Sequence, residues 1–137
     1  MKVIFLDIDG VLNTKIKGVI DEDKLINLRK IIDATGTVVF INSLWSAFNS
    51  IGLSELIQRL KEWDIVCIDY IKNHSLKMKD EHVEEYLSSH PEITSYVIVD
   101  DNEYEFEEKF PNHFVKTNTR YGLTEKASRK IISILNK

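Results

Sequence analysis

VIFLDIDGVLN, residues 3–13, joins a run of strand-forming apolar residues to an abrupt polar end. A continuous apolar run of this kind is typical of a strand buried on both faces of a parallel sheet. Open parallel sheets bind their ligands just beyond the carboxyl ends of the strands, and Asp7 and Asp9 occupy that position. Neighbouring carboxylates repel each other unless they share a divalent cation, share a proton or are fully exposed to solvent. The motif Asp-x-Asp-Gly is also common in surface turns, but the later ligands of a calcium loop do not follow Asp9.

The rest of the chain predicts alternating strands and helices. We expect strands over residues 3–7, 37–42, 65–68, 96–100 and 114–116, and helices over residues 22–34, 54–63 and 80–89. A last helix should begin after a Thr124 N-cap and run through Leu135, and Gly36 should end the first helix. This alternation predicts an α/β, three-layer Rossmann-like fold with a mainly parallel central sheet.

Composition limits the class of protein. The chain has 137 residues, 43% of them hydrophobic, which favours one globular domain over residues 1–137. A net charge of -4 is unlike that of a generic nucleic-acid or membrane binder. Cys67, the only cysteine, is expected to be an inert thiol in a strand. The sequence shows no secretory signal and no long apolar span, so we expect a soluble cytoplasmic protein.

A second strand also ends in paired acids, at residues 95–102, SYVIVDDN. If both strands are central and parallel, Asp100 and Asp101 converge with Asp7 and Asp9 at one edge of the sheet. Such a density of carboxylates requires a hard cation, and oxygen-only ligands suit Mg²⁺. The alternative for Asp100 and Asp101 is a turn that caps a helix over residues 103–109. Two acidic strand ends in one short chain favour the metal site.

Two further positions are candidates for phosphate binding. Ser43 follows the second predicted strand, where its hydroxyl and the backbone N–H groups of Ser43 and Leu44 could bind phosphate oxygens; the alternative is a helix N-cap. Lys77 and Lys79 precede the third predicted helix. Either lysine could neutralise charge beside the acids, although surface lysines are usually solvated.

These residues resemble the haloacid dehalogenase-like (HAD) phosphohydrolases, whose four motifs appear in order. Asp7-Ile8-Asp9-Gly10-Val11 resembles motif I, Ser43 motif II, a lysine before a helix motif III, and Asp100-Asp101 motif IV. The resemblance is to the compact group without a cap domain, whose relatives include the HAD domain of Swiss army knife RNA repair proteins. It is carried by DGVLN at 9–13, Ser43-x-Trp45, VIVDD at 97–101, and FVKT at 114–117 leading to GLT at 122–124. A frequent Arg after Trp45 is replaced by Ser46.

The resemblance implies a role for each matching residue. Asp7 would be the nucleophile that forms an aspartyl-phosphate, and Asp9 the general acid and base. Asp7, the backbone carbonyl of Asp9, and Asp100 would hold Mg²⁺, with Asp101 acting through water or the lysine. Ser43 would hydrogen-bond a phosphoryl oxygen. Lys79 is the predicted motif III lysine because it precedes Val83 by one helical turn, and Lys77 is the alternative.

The spacing of the motifs and the basic residues near the end of the chain bear on the substrate and on the alternative functions. The segments between motifs have no room for a cap domain, and uncapped relatives tend to act on macromolecules or large substrates. The basic residues of 114–137 could contact the phosphates of a polynucleotide end, although a solvated helix face is the commoner explanation: Lys116, Arg120, Lys126, Arg129, Lys130 and Lys137. The alternatives are a phosphatase for small metabolites or nucleotides and a catalytically idle binding module. A phosphotransfer receiver domain is disfavoured because Asp-x-Asp lies on the first strand.

Overall fold

The computed structural model describes residues 1–16, 18–43, 50–72 and 77–137. Its central sheet has five strands, β1 (Lys2–Leu6), β2 (Val38–Ile41), β3 (Cys67–Tyr70), β4 (Ser95–Asp100) and β5 (Phe114–Lys116). All four pairings are parallel, in the order β3-β2-β1-β4-β5. The predicted parallel sheet is therefore confirmed.

Helices lie on both faces of this sheet. They are α1 (Glu22–Thr35), α2 (Ser50–Glu62), α3 (Lys79–Ser89), the short α4 (Phe106–Lys109) and α5 (Glu125–Leu135). Gly36 ends α1 with φ of 72°, and Thr124 caps α5 by accepting a hydrogen bond from the Ala127 N–H at 3.1 Å. Both predicted helix ends are confirmed. The capped helix considered over residues 103–109 is shorter, since α4 begins at Phe106 without a side-chain cap.

The third strand begins later than residues 65–68 predict. Ile65 is buried, but its N–H donates to the Leu60 carbonyl at 3.0 Å, so it belongs to the turn that ends α2. Strand pairing starts at Cys67. An apolar residue that packs from a turn has the same sequence signature as one in a strand, which explains the wrong boundary.

Two apolar layers separate the sheet from the helices. Ile4 and Leu6 of β1 pack with α1, α2 and α5, whereas Val3 and Phe5 pack with α3 and α4 on the opposite face. The result is the predicted α/β three-layer architecture. Among the described residues, each connection between strands contains one helix and turns, and no cap domain is present. No described helix is both long and apolar enough to cross a membrane.

The topology places a crevice between β1 and β4. The chain leaves β1 for β2 and β3 on one side of the sheet and then crosses to β4 on the other side. In open α/β sheets such a reversal of direction leaves room for a ligand beyond the carboxyl ends of the two strands. Asp7 follows the last residue of β1, and Asp100 is the last residue of β4.

Candidate active site

Three aspartates converge at this crevice. Carboxylate oxygens of Asp7, Asp100 and Asp101 all lie within 4.8 Å of one another. Strand pairing fixes the first of them, because the Asp7 N–H donates to the Val99 carbonyl at 2.9 Å. Asp7 and Asp100 are buried and Asp101 is half-buried. The sheet thus brings residues about ninety positions apart into one cluster of acids.

Asp9, which the sequence groups with these acids, is exposed and is not one of the three residues of this cluster. One of its carboxylate oxygens accepts a hydrogen bond from the Asn13 side-chain amide at 3.2 Å. The loop between them is closed by the Gly10 N–H, which donates to the Asn13 carbonyl at 2.9 Å. An exposed carboxylate on a fixed loop beside a buried one is suited to exchange protons with a substrate and with water.

Gly10 allows this loop to approach the second pair of acids. Its φ is 80°, and a Cβ atom at this position would lie 2.1 Å from an Asp101 carboxylate oxygen. Any larger residue would have to displace Asp101. The glycine of the Asp-x-Asp-Gly motif is therefore required by both its backbone conformation and its packing.

Lys79, the first residue of α3, lies between the acids. Its Nζ is 2.9 Å from Asp7 Oδ1 and 2.9 Å from Asp100 Oδ2, and the side chain is buried. Lys77 is half-exposed and forms an ion pair with Glu85 on the outer surface of the same helix. Of the two lysines considered, the structure places Lys79 in the cluster of acids.

The acids remain short of positive charge. Burial raises the pKa of Asp7 to about 7, and the attraction of Lys79 only partly opposes this effect. Burial also raises the pKa of Asp100, again against the attraction of Lys79. Burial disfavours the charge of Lys79 as well, but the two carboxylates outweigh it and raise its pKa. Among the described residues, the Lys79 ammonium contacts two of the three carboxylates, and this all-oxygen group fits a hard dication such as Mg²⁺.

Two threonines after β5 support the acids. The Thr117 hydroxyl donates to the Gly10 carbonyl and its N–H donates to the Asp100 carbonyl, each at 2.9 Å. The Thr119 hydroxyl donates to an Asp101 carboxylate oxygen at 2.9 Å. Sequence reasoning assigned these threonines no role. Their position after the fifth parallel strand was the available signal, because that strand ends at the same edge of the sheet.

The end of β2 contributes a third part of the site. Ser43 is buried there. Leu44, Trp45 and Ser46, and with them the predicted backbone donor at Leu44, lie outside the described residues. Asn42, which the sequence suggested only as the last strand residue, is buried, and among the described residues neither of its side-chain amide atoms has a hydrogen-bond partner. Its N–H donates to the Leu6 carbonyl at 2.8 Å, which places it beside Asp7.

A basic groove adjoins the threonine loop. It has a volume of about 370 Å³, and its lining includes Thr117, Gly122 and the side chains of Lys116, Lys126 and Lys130. Lys116 also forms an ion pair with Glu103, in which Nζ lies 3.2 Å from Oε1. Part of the predicted basic segment therefore lies beside the cluster of acids.

Comparison with known proteins identifies the family. The family model described as the HAD domain in Swiss Army Knife RNA repair proteins matches residues 3–127. The chain belongs to this family. The match spans β1 through the first turn of α5, so it includes every strand of the HAD domain and all the acids described above. Searches of curated proteins and of solved structures gave no match. Family membership supports a hydrolase of the phosphatase type, and the acidic cluster is consistent with it.

Proposed function

We propose that this HAD domain is a Mg²⁺-dependent phosphomonoester hydrolase that acts through an aspartyl-phosphate on Asp7. The observation that supports this most strongly is the position of Asp7. It lies at the crevice between β1 and β4, in a group with Asp100 and Asp101 and 2.9 Å from the Lys79 ammonium. A carboxylate in this environment can act as a nucleophile once positive charge stabilises its ionised form.

The reaction has two steps. In the first, a carboxylate oxygen of Asp7 attacks phosphorus, the bond from phosphorus to the leaving oxygen breaks, and Asp9 donates a proton to that oxygen. In the second, Asp9 accepts a proton from water, the water oxygen attacks phosphorus, and inorganic phosphate leaves with Asp7 restored. The exposure of Asp9 suits both proton transfers.

The remaining residues bind and neutralise the phosphoryl group. Lys79 offsets negative charge on Asp7 and on the phosphate oxygens, and the Ser43 hydroxyl donates to one of these oxygens. Asp7, Asp100, Asp101 and the backbone carbonyl of Asp9 would hold Mg²⁺, which supplies the positive charge that an anionic nucleophile needs at an anionic phosphate.

Hydrolysis of an aryl phosphate tests the proposal. The wild-type protein should release phosphate with Mg²⁺ present and lose this activity in excess chelator. Asp7→Asn should lower turnover by about 10⁴-fold or more while the fold is retained, because a nucleophile is removed. Full activity in chelator, or undiminished turnover by Asp7→Asn, would contradict the mechanism. Absence of hydrolysis in the wild-type protein would favour an idle binding module.

We further propose a phosphorylated polynucleotide end as the substrate. The basic groove supports this choice, because Lys116, Lys126 and Lys130 line it next to the loop that contacts Gly10. Phosphates that flank the reacting one could lie along this groove. The uncapped crevice leaves room for such a chain. A small-metabolite or nucleotide phosphatase is the alternative, in which these lysines are solvated.

Charge reversal distinguishes these substrates. Replacing Lys126, Arg129 and Lys130 together by Glu should raise KM for a 5′- or 3′-phosphorylated oligonucleotide and weaken its salt dependence. The KM for an aryl phosphate should stay nearly unchanged, since this substrate has no flanking phosphates. Equal efficiency on mononucleotides and oligonucleotides, without added salt sensitivity, would favour the small-molecule alternative.

A further inference from the structure

Tyr104 has an unusual backbone conformation in the turn that follows β4. Its φ is 43°, a left-handed value that is uncommon for a bulky residue. Asp64 and Asn112 also have positive φ in the described part of the chain, but Asp and Asn tolerate this region. The Tyr104 N–H donates to the Asn102 side-chain carbonyl at 3.4 Å, which helps to fix the turn. Backbone strain of this kind costs about 1–3 kcal/mol and is concentrated at functional sites.

This turn brings the Tyr104 ring to the cluster of acids. Lys79 Nζ lies over the ring, 5.5 Å from its centroid, and the same Nζ contacts Asp7 and Asp100. On another side the ring packs against Phe106, with centroids 5.5 Å apart and planes at 65°. A phosphoryl group bound at Lys79 would therefore lie directly beside the Tyr104 ring.

Tyr104 also keeps part of its surface exposed to solvent. Tyr104 is only half-buried, whereas Phe106 and Phe110 of the same segment are buried. The contact between a cation and an aromatic ring contributes about 0.5–2 kcal/mol, which is no more than the strain that the turn costs. Packing against Phe106 and its apolar cluster accounts for one part of the ring, and Tyr104 as a whole stays half-buried next to the cluster of acids.

We propose that Tyr104 is a substrate-contacting residue whose ring packs against the leaving group and favours phosphoesters in which a planar ring lies next to the phosphate. The inference rests on the proposed phosphatase function. A crevice without a cap domain offers few other surfaces to a leaving group. Stacking of a planar ring on an aromatic side chain is worth about 1–3 kcal/mol, enough to select among substrates.

The test compares three substrates: phenyl phosphate, a nucleoside monophosphate and glycerol phosphate. Tyr104→Leu should lower kcat/KM about 10-fold for a substrate whose ring contacts Tyr104, mainly through KM. For glycerol phosphate, which has no ring to stack on Tyr104, kcat/KM should stay within about twofold of the wild-type value. A loss of kcat/KM with both phenyl phosphate and the nucleoside monophosphate indicates that Tyr104 recognises planar rings in general. A loss with one of them identifies the preferred leaving group as an aryl group or as a nucleoside. Tyr104→Phe keeps the ring and should keep the wild-type preference.

Two glycine variants separate the ring from the turn. Tyr104→Gly fits the left-handed backbone and should show the same loss of preference as Tyr104→Leu. Asp64→Gly makes a similar change at φ of 54°, in the turn before β3 at the opposite edge of the sheet, and should leave all three substrates unaffected. The inference would be overturned if Tyr104→Leu and Tyr104→Gly lost kcat/KM equally on all three substrates or lost it on none. Hydrolysis by the wild-type protein would still uphold the proposed function in that case. Failure of the wild-type protein to hydrolyse any of the three would contradict both.

Discussion

Asp7→Asn should stabilise the metal-free protein while it abolishes catalysis. Burial raises the pKa of Asp7 from 3.8 to about 7, so the ionised carboxylate is disfavoured in the folded protein. At 1.36 kcal/mol per pKa unit, this difference corresponds to about 4 kcal/mol above pH 7. Asparagine has nearly the shape of the protonated acid and carries no charge. The free energy of unfolding should therefore rise by up to about 4 kcal/mol in the variant at pH 8.

The sign of the pH dependence follows from the same shift. An acid whose pKa is raised by folding destabilises the folded protein progressively between its unfolded and folded pKa values, here 3.8 and about 7. The difference between variant and wild type should thus be near zero at pH 4 and complete above pH 7. Urea unfolding in chelator at several pH values measures it. Adding Mg²⁺ should reduce the difference, because a cation held by Asp7 stabilises wild type by about 2.7 kcal/mol at 100 times its Kd.

Asp21→Asn is the matched control. Asp21 is also a buried aspartate, but its Oδ2 accepts hydrogen bonds from the Thr14 N–H at 3.1 Å and the Thr14 hydroxyl at 2.6 Å. Neutralising this carboxylate weakens both bonds, so the variant should lose about 1 kcal/mol. The charge argument for Asp7 would be refuted if Asp7→Asn were no more stable than wild type at pH 8 in chelator, or if its effect did not depend on pH.

Three further predictions concern the lysines, the glycine and the second aspartate of the site. Lys79→Met should lower kcat in the phosphatase assay by about 10²-fold or more, because it removes positive charge beside the nucleophile. Lys77→Met should keep kcat within about twofold of the wild-type value in the same assay. Equal small effects would remove Lys79 from the mechanism. Gly10→Ala should weaken Mg²⁺-induced thermal stabilisation, because the added Cβ displaces Asp101 of the cluster. Gly36→Ala is the control: it strains a similar φ of 72°, its Cβ would meet nothing within 4 Å, and it should lose only about 1–2 kcal/mol of stability. An equal response to Mg²⁺ in the two variants would contradict this prediction. Asp9→Asn should accumulate the phosphoenzyme with an aryl phosphate, because this leaving group needs little protonation whereas the second step still needs a base. The intact mass of the variant should then rise by that of one phosphoryl group. An unmodified variant that still turns over would exclude Asp9 as the general acid and base.

The sequence was sufficient for the order of elements and for the meeting of Asp7 with Asp100 and Asp101, because both depend on local patterns. Apolar runs that end in Asp7 and in Asp100 predict two strands, and parallel pairing alone brings their ends together. The choice of Lys79 over Lys77 also came from periodicity, since Lys79 lies one turn before the buried Val83. Its role in catalysis remains a prediction.

Features that depend on tertiary contacts were not visible. The left-handed turn at Tyr104 has no signal in the sequence, since tyrosine rarely adopts it. The hydrogen bond from Thr119 to Asp101 joins two loops whose separation depends on how β4 and β5 pair. Asn42 looks like an ordinary polar strand end in the sequence, whereas the structure shows it buried with no side-chain partner in the described part of the chain. Each of these residues is placed by neighbours that are distant in the chain.

The position of Lys79 depends on the segment that carries Tyr104. The sheet fixes the three acids, but Lys79 lies in the first turn of α3, and that turn is held from α4. The next residue, Asp80, is buried and forms an ion pair with Lys109 at 2.6 Å. Only the Asp80 side of this pair is buried, so loss of Lys109 would leave a buried carboxylate without this partner. Residues 100–109 therefore supply two acids of the cluster, the ring over the lysine and the anchor of the helix that presents it, so a shift of this segment would change all three parts of the site together.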